Sequence, residues 1–517
     1  MTETGTTGGQ RQTWTSNRGF ILAAIGSAVG LGNIWRFPGV AYDSGGGAFL
    51  IPYLIALVTA GLPILFLDYA IGQRFRGSAP LALRRLWRKA EVIGWFQTML
   101  LFIISVYYAA VIAWALSYFY FSFGNKWGSD TASFFVDDYL QASEPGISSE
   151  LVAGVAWPLA LVWVAIIIVL ALGIAGGVEK VNVIGIPLLV LGFGALVIRA
   201  VTLPGAADGL NALFTPDWGE LGNLNVWIAA YSQIFFSMSI AFGIMIAYSS
   251  FQRRRSNMTS SGLVVGFANS SFEILAGIGV FSALGFLAHQ EGVGVADLEG
   301  LTGPILSFVT FPAVISEMPG SALFGALFFG SLVIAGFTSL VSLVVGVSVA
   351  IQEKFGLSQR VAAVVVGVVC AVVSFGLFAT TTGLFALDTV DMFANNIGVV
   401  SSAIAMCVAV VWFARKGDLL RLHLNSVSTF ELGKWWLPLI GVFAPVFLLV
   451  MMIQKIVDVI NNGYEGYPDW YINLFGWGTV ALAVIGAIVG TAISWRGRDD
   501  PAFRPWPSVD FLEGQKR

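Results

Sequence analysis

The chain has 517 residues, 57% of them hydrophobic and only 11% charged, with a formal net charge of −3. A soluble domain carries about 25% charged residues. This composition, with a mean hydropathy of +0.81, excludes a soluble enzyme and describes an all-α polytopic membrane protein. Its apolar runs are long and continuous, unlike the short alternating segments of a β-barrel.

Met1 to Asn17 is polar and the first apolar run is a full span, so no cleavable signal peptide is expected. About twelve spans follow, at 19–42, 47–73, 92–124, 152–177, 181–202, 225–250, 259–289, 321–352, 361–380, 385–414, 435–460 and 470–495. The first carries Gly26, Gly30 and Gly32, then Asn33, Arg36 and Pro38, which invite the helix to break. Broken backbone at membrane depth is tolerated only where protein buries it or it lines a cavity. In transporters such breaks hold ions and anionic substrates. The sixth span repeats the pattern: Ser237, Ser239 and Gly243 interrupt an apolar helix. Spans one and six are five apart, as two five-helix repeats would give, and an odd unit inverts the second repeat against the first.

Lysine and arginine cluster on one side. Arg11 and Arg18 precede span one, Arg74 to Lys89 follow span two, and Arg253 to Arg255 follow span six. Lys354 and Arg360 follow span eight, Arg415, Lys416 and Arg421 follow span ten, and Arg496 to Arg517 form the tail. The opposite loops hold acids such as Asp137, Asp208 and Glu291. The positive-inside rule then places both termini in the cytoplasm of a multi-pass cell-membrane protein. The expected organisation is a cytoplasmic segment 1–18, a first repeat 19–202, an extracellular loop 203–224, a second repeat 225–415, helices eleven and twelve at 416–495, and a cytoplasmic tail 496–517. Cys370 and Cys407 lie inside apolar runs, which argues against a disulfide. His289 and His423 sit at span ends without metal-ligand spacing.

The run Gly30-Leu31-Gly32-Asn33-Ile34-Trp35-Arg36-Phe37-Pro38, followed by Gly45-Gly46-Gly47-Ala48-Phe49 and Ile51-Pro52-Tyr53, closely resembles the neurotransmitter:sodium symporter family. The match continues through Gln233-Ile-Phe-Phe-Ser, Ala335-Gly-Phe-Thr-Ser, Asp388-Thr-Val-Asp391 and Ile397-Gly398, in order, from about residue 11 to residue 415. Among its members the chain looks like the bacterial amino acid transporters, the leucine transporter among them.

The resemblance implies sodium as the coupled ion and two sodium sites. The first would use the Ala28 carbonyl, the side-chain oxygens of Asn33, Ser237 and Asn269, and the substrate's carboxylate. The second would use carbonyls of Gly26, Val29 and Ala335 with the hydroxyls of Thr338 and Ser339. Hard cations take oxygen ligands, and unwound carbonyls supply them without a fixed charge. Asn33 and Asn269 also suit plain helix–helix hydrogen bonding, and Gly26 and Gly30 suit small-residue packing.

Substrate contacts implied by the resemblance are Ala28, Gly30, Gly32, Ile104, Tyr108, Phe236, Ser237, Ser239, Phe242, Ser339 and Leu343. The carboxylate is expected at the amides of Gly30 to Gly32, at a half-helix N-terminus. Tyr108 resembles the family tyrosine that binds that carboxylate, although Tyr107 is its neighbour. Most of this wall is apolar, so a neutral, hydrophobic amino acid is the expected cargo. Amine-transporting relatives carry aspartate at the position of Gly30.

Arg36 and Asp391 resemble an extracellular gate, paired directly or through water. Arg11 and Glu353, with Trp14 as plug, resemble the cytoplasmic gate, although the family usually has aspartate at 353. Phe251 stands where relatives carry tyrosine, so one hydrogen bond there must be absent or replaced. Glu273, one turn after Asn269, falls where chloride-dependent relatives have serine; a carboxylate there implies chloride independence, with Tyr53, Gln233 and Ser237 around it. Ala241 replaces a frequent glycine, tolerates left-handed backbone less well, and is expected to narrow the pocket. The reading is a sodium-coupled amino acid symporter working by alternating access, and no enzyme. A proton- or exchange-driven carrier and a non-transporting sensor are the rivals. Spans eleven and twelve lie outside the repeat, where a homodimer contact, a small accessory subunit and lipid are all open.

Overall fold

The computed structural model describes residues 12–298, 303–497 and 503–514. Helices account for most of the described chain, and its strand-like contacts are two isolated bridges, Gly46 with Pro216 and Leu151 with Thr380. Among the described residues nine helices are long and apolar enough to cross a membrane, and the bent pair Asn17–Ala28 and Leu31–Asp43, at 49°, makes a tenth span. One of the nine, Ala153–Ala200, is 48 residues long. At 1.5 Å per residue it would run roughly 72 Å, more than twice a bilayer core. It divides at Gly173, whose φ of +86° suits glycine, and the chain doubles back so far that a Cβ on Gly177 would sit 2.0 Å from the Val169 carbonyl. Spans four and five are therefore Ala153–Gly173 and Glu179–Ala200. Span six is Leu224–Ser237 and Ile244–Ser250, each half too short to cross alone. Twelve crossings result.

Spans three (Glu91–Phe121) and eight (Ser321–Phe355) are the most enclosed, with 78% of their apolar windows buried, against 28% for span twelve. Their ends near the amino-terminal segment are tied by one buried ion cluster. The Glu91 carboxylate accepts from Lys354 Nζ at 2.9 Å, Arg84 Nη1 at 2.5 Å and Trp495 Nε1 at 2.7 Å. Lys354 also lies over the Trp495 ring at 4.5 Å. Arg84 belongs to the connecting helix Ala79–Leu86 and Trp495 follows span twelve, so four elements meet on one carboxylate.

Connections read as loops turn out to hold further short helices: Ala206–Phe214 and Gly303–Ser316 on one side, Ala79–Leu86 and Gly417–Val427 on the other. Ala206–Phe214 sits so close to span seven (Met258–Glu291) that a Cβ on Gly209 would meet the Phe281 carbonyl at 1.8 Å.

Glu91→Gln would leave Lys354, 1% exposed, without its buried counter-charge. Breaking such a pair costs about 3–5 kcal/mol, so thermal unfolding of the purified variant in detergent should begin several degrees lower, while Lys455→Gln at the exposed pair with Asp458 should leave it unchanged.

Candidate functional site

The break in span one is set by four peptide units. Val29 N still reaches the Ile25 carbonyl at 2.6 Å, but the ladder then stops. Gly30 N, which a continuous helix would give to Gly26, goes to Asn33 Oδ1 at 2.8 Å. Leu31 N, owed to Ser27, goes to the Tyr108 hydroxyl at 2.9 Å. Asn33 N turns to the Gly30 carbonyl at 3.2 Å. The Ser27 carbonyl released in this way accepts from Ser239 Oγ at 2.8 Å and Ser339 Oγ at 3.1 Å. The carbonyls of Gly26, Ala28 and Val29 leave the ladder in the same stretch. The break is narrower than the sequence pattern implied: the helix resumes at Leu31 and runs through Pro38 to Asp43. A Cβ on Gly30 would lie 2.7 Å from the Tyr108 hydroxyl oxygen, so a larger residue there would push that hydroxyl off the Leu31 amide.

Span six breaks opposite. Its first half ends at Ser237, and Ser239, Ala241 and Gly243 take φ of +52°, +63° and +100°. Two of these are not glycine, at a cost of about 1–3 kcal/mol each. Ala241 therefore does adopt the left-handed backbone that alanine was expected to resist. It is held there: its amide donates to Asp68 Oδ2 at 2.8 Å, and its carbonyl accepts from Gln97 Nε2 at 3.0 Å and Ser402 Oγ at 2.6 Å. Nor does it narrow the pocket, since Ala241 is not on the cavity wall among the described residues.

Between the two breaks lies a cavity of about 50 Å³. All eleven residues predicted to meet substrate line it, from Ala28, Gly30 and Gly32 through Ile104, Tyr108, Phe236, Ser237, Ser239, Phe242 and Ser339 to Leu343. Ser27, Asn33, Tyr107 and Asn395 complete the wall. A second cavity of about 220 Å³ begins beyond Phe236 and Tyr108, which line both, and holds Arg36, Asp388, Asp391 and Tyr464.

A polar chain joins the breaks to span seven. Asn33 Nδ2 donates to Asn269 Oδ1 at 2.8 Å, and Asn269 Nδ2 to Ser237 Oγ at 3.0 Å. One turn on, Glu273 accepts from the Tyr53 hydroxyl and from Gln233 Nε2 at 2.5 Å, is hydrogen-bonded to Ser237, and is fully buried. Thr338 Oγ1 donates to the Ile334 and Ala335 carbonyls of its own helix, at 3.0 and 3.1 Å.

The gate residues are placed differently from a simple pair. Arg36 donates to Ser232 Oγ at 3.1 Å and stacks on Phe236 at 4.3 Å. Asp391 accepts from the Tyr107 hydroxyl at 2.6 Å and Asn395 Nδ2 at 2.9 Å. Among the described residues the two charges make no direct ion pair. Tyr107 is thus a carboxylate partner rather than a packing aromatic, and Tyr108 alone meets the broken backbone. On the opposite side Trp14 is buried, its Nε1 donating to the Tyr248 carbonyl at 2.9 Å and its amide to the Phe251 carbonyl at 3.3 Å. That backbone contact ties Phe251 to the amino-terminal segment without a side-chain hydroxyl. Glu353 accepts from Ser78 N at 2.7 Å. Arg11, its predicted partner, lies outside the described residues.

The chain matches the sequence profile described as the sodium:neurotransmitter symporter family over residues 11–137 and 125–496. It belongs to that family. It is 41% identical to an uncharacterized sodium-dependent transporter of Methanocaldococcus jannaschii, over 93% of this chain and 97% of the relative. It is 30% identical to a sodium- and chloride-dependent GABA transporter of Drosophila melanogaster, over 94% of this chain but 55% of that longer protein. The fold matches the crystal structure of MhsT in complex with L-phenylalanine, with a TM-score of 0.73 and 29% identity, covering 86% of this chain and 99% of MhsT. The protein is therefore a multi-pass, sodium-coupled transporter and not an enzyme, as its sequence implied.

Sequence reasoning missed the group behind span six, Asp68, Gln97 and Ser402, and the wall residues Ser27 and Asn395. Asp68 carried a signal, being an acid in the middle of an apolar span. Asp68→Ala should release Ala241 and cut uptake by roughly tenfold, the worth of one charge-assisted hydrogen bond. Asp68→Asn keeps an acceptor for the Ala241 amide and should recover most of it; equal losses in both variants would mean that the anchor is irrelevant.

Proposed function

We propose that this transporter imports a neutral, hydrophobic amino acid by sodium symport, independently of chloride. The observation that carries the reading is the broken span one, whose residues Ala28, Gly30 and Gly32 line one small cavity together with Ile104, Phe236, Phe242 and Leu343. A helix N-terminus favours an anion through its dipole and its leading N–H groups. Because the Gly30 and Leu31 amides are held by Asn33 and Tyr108, an amino acid carboxylate at Gly30 to Gly32 would bind the Gly32 amide or displace one of those partners. Ile104, Phe236, Phe242 and Leu343 would hold the side chain. MhsT, of the same fold, is seen with L-phenylalanine, which favours an aromatic or large aliphatic cargo here. An acidic side chain at position 30, of the kind amine carriers use, would have to displace the Tyr108 hydroxyl from its place beside Gly30.

The first sodium would sit among the Ala28 carbonyl, Asn33, Ser237, Asn269 and the substrate carboxylate. Each amide oxygen has two lone pairs, so Asn33 and Asn269 can accept a hydrogen bond and a cation together. The second would take the carbonyls of Gly26, Val29 and Ala335 with Thr338 and Ser339. A shared carboxylate ligand makes ion and substrate binding mutually dependent. Glu273 would supply the negative charge that chloride supplies elsewhere. Spans one, two, six and seven would rock against the rest, with Arg36 and Asp391 closing one side and Arg11, Trp14 and Glu353 the other.

Proteoliposomes with an inward sodium gradient should accumulate phenylalanine or leucine, should fail to do so with potassium, and should be indifferent to replacement of chloride by gluconate. Glu273→Ser should make the same uptake require chloride. Loss of wild-type uptake in gluconate would refute the role of Glu273; phenylalanine and leucine binding with no uptake would refute transport of these cargoes.

A further inference from the structure

An apolar groove of about 480 Å³ runs on the outer surface between spans four, five and eight, lined among others by Leu172, Ile184, Gly185 and Phe337. It continues into a second hollow of about 390 Å³ bounded by Phe119, Gly192, Leu327 and Gly330. Leu188, Val333 and Ile334 line both, so the two form one channel along the seam of spans five and eight. Glycine at 185 and 192 opens the slot: a Cβ on Gly192 would meet only Ser331 Oγ at 3.5 Å and Leu327 at 3.9 Å. Its walls face outward, with Leu172, Ile184 and Leu188 62%, 68% and 54% exposed. At one end stands Lys180, exposed and paired with no carboxylate among the described residues. Its neighbour Glu179 is bonded to Thr15 and Ser16, at the end of the amino-terminal segment where the first helix begins, which places Lys180 where the polar side of the membrane begins. From Lys180 to Gly192 the helix rises roughly 18 Å, close to the depth of one leaflet of a ~30 Å core.

We propose that this channel is a binding site for one anionic glycerophospholipid, with an acyl chain lying along the seam of spans five and eight and its phosphate on Lys180. The chemistry at each end selects the occupant: apolar walls one leaflet deep take a single chain, and an unpaired ammonium at the polar level takes a phosphate. A free phosphate would have no use for the groove, and a detergent-like neutral chain no use for Lys180. The floor of the groove includes Thr338, whose methyl lies 3.2 Å from a Cβ placed on Gly185. A seated chain would therefore press on the helix that carries Thr338 and Ser339.

The test is native mass spectrometry of the full chain, purified in detergent and incubated with equimolar phosphatidylglycerol and phosphatidylcholine. The expected result is one retained phospholipid, with phosphatidylglycerol preferred by about fivefold, the worth of one lysine at an anionic surface. Lys180→Gln should abolish the preference while still retaining a lipid. Gly192→Leu should reduce retention of both lipids, and Leu188→Trp, at an outward-facing position that the fold does not depend on, should do the same. Equal retention of the two lipids by the wild type, an undiminished preference in Lys180→Gln, or full retention in Leu188→Trp would each overturn the proposal. The readout needs no transport, so it stands or falls apart from the identity of the cargo.

Discussion

A peptide group freed inside a membrane must find a partner in protein or ligand, because no water is there to take it. Everything at the centre of this molecule answers to that demand at residues 26–31. The amides of Gly30 and Leu31 are taken by Asn33 and Tyr108, and the Ser27 carbonyl by two serines from spans six and eight. Those partners come from spans one, three, six and eight, so the break cannot form until the four are assembled. The carbonyls of Gly26, Ala28 and Val29, which take no such partner among the described residues, and the positive dipole end of the resumed helix are chemically suited to a cation and a carboxylate side by side.

The second break shows the same constraint met by different means. Span six adopts left-handed backbone at Ser239 and Ala241, and the strain persists because Asp68, Gln97 and Ser402 fix both polar groups of Ala241 from three other spans. One break is held by side chains that face the cavity, the other by side chains behind it. The cavity between them can then change shape through Phe236 and Tyr108 while its backbone frame stays in place. The Glu91–Lys354 cluster fixes spans three, eight and twelve at one end, which gives moving elements something rigid to move against.

The sequence was informative where chemistry is local. Glycine spacing marked both breaks, and the family pattern brought eleven distant residues onto one wall. It was uninformative where the answer depends on which helices touch. Asp68 reads as an isolated acid until span six is laid against it. Tyr107 and Tyr108 are indistinguishable until Asp391 and Leu31 arrive on opposite sides of span three. Arg36 and Asp391 read as a gate paired directly or through water; the direct pair is absent among the described residues, and each is held by neighbours that no spacing rule reveals. The expected penalty at Ala241 failed for the same reason, since its compensation lies in other spans.

The central claim is that one broken site binds the ion and the amino acid together. Equilibrium binding of radiolabelled L-phenylalanine to the purified protein, in sodium and in potassium at equal ionic strength, tests it without requiring transport. Reciprocal coupling through a shared carboxylate predicts affinity at least about tenfold higher in sodium, and loss of that difference in Asn269→Ala. Equal affinity in the two salts would contradict a shared site, whatever the fold.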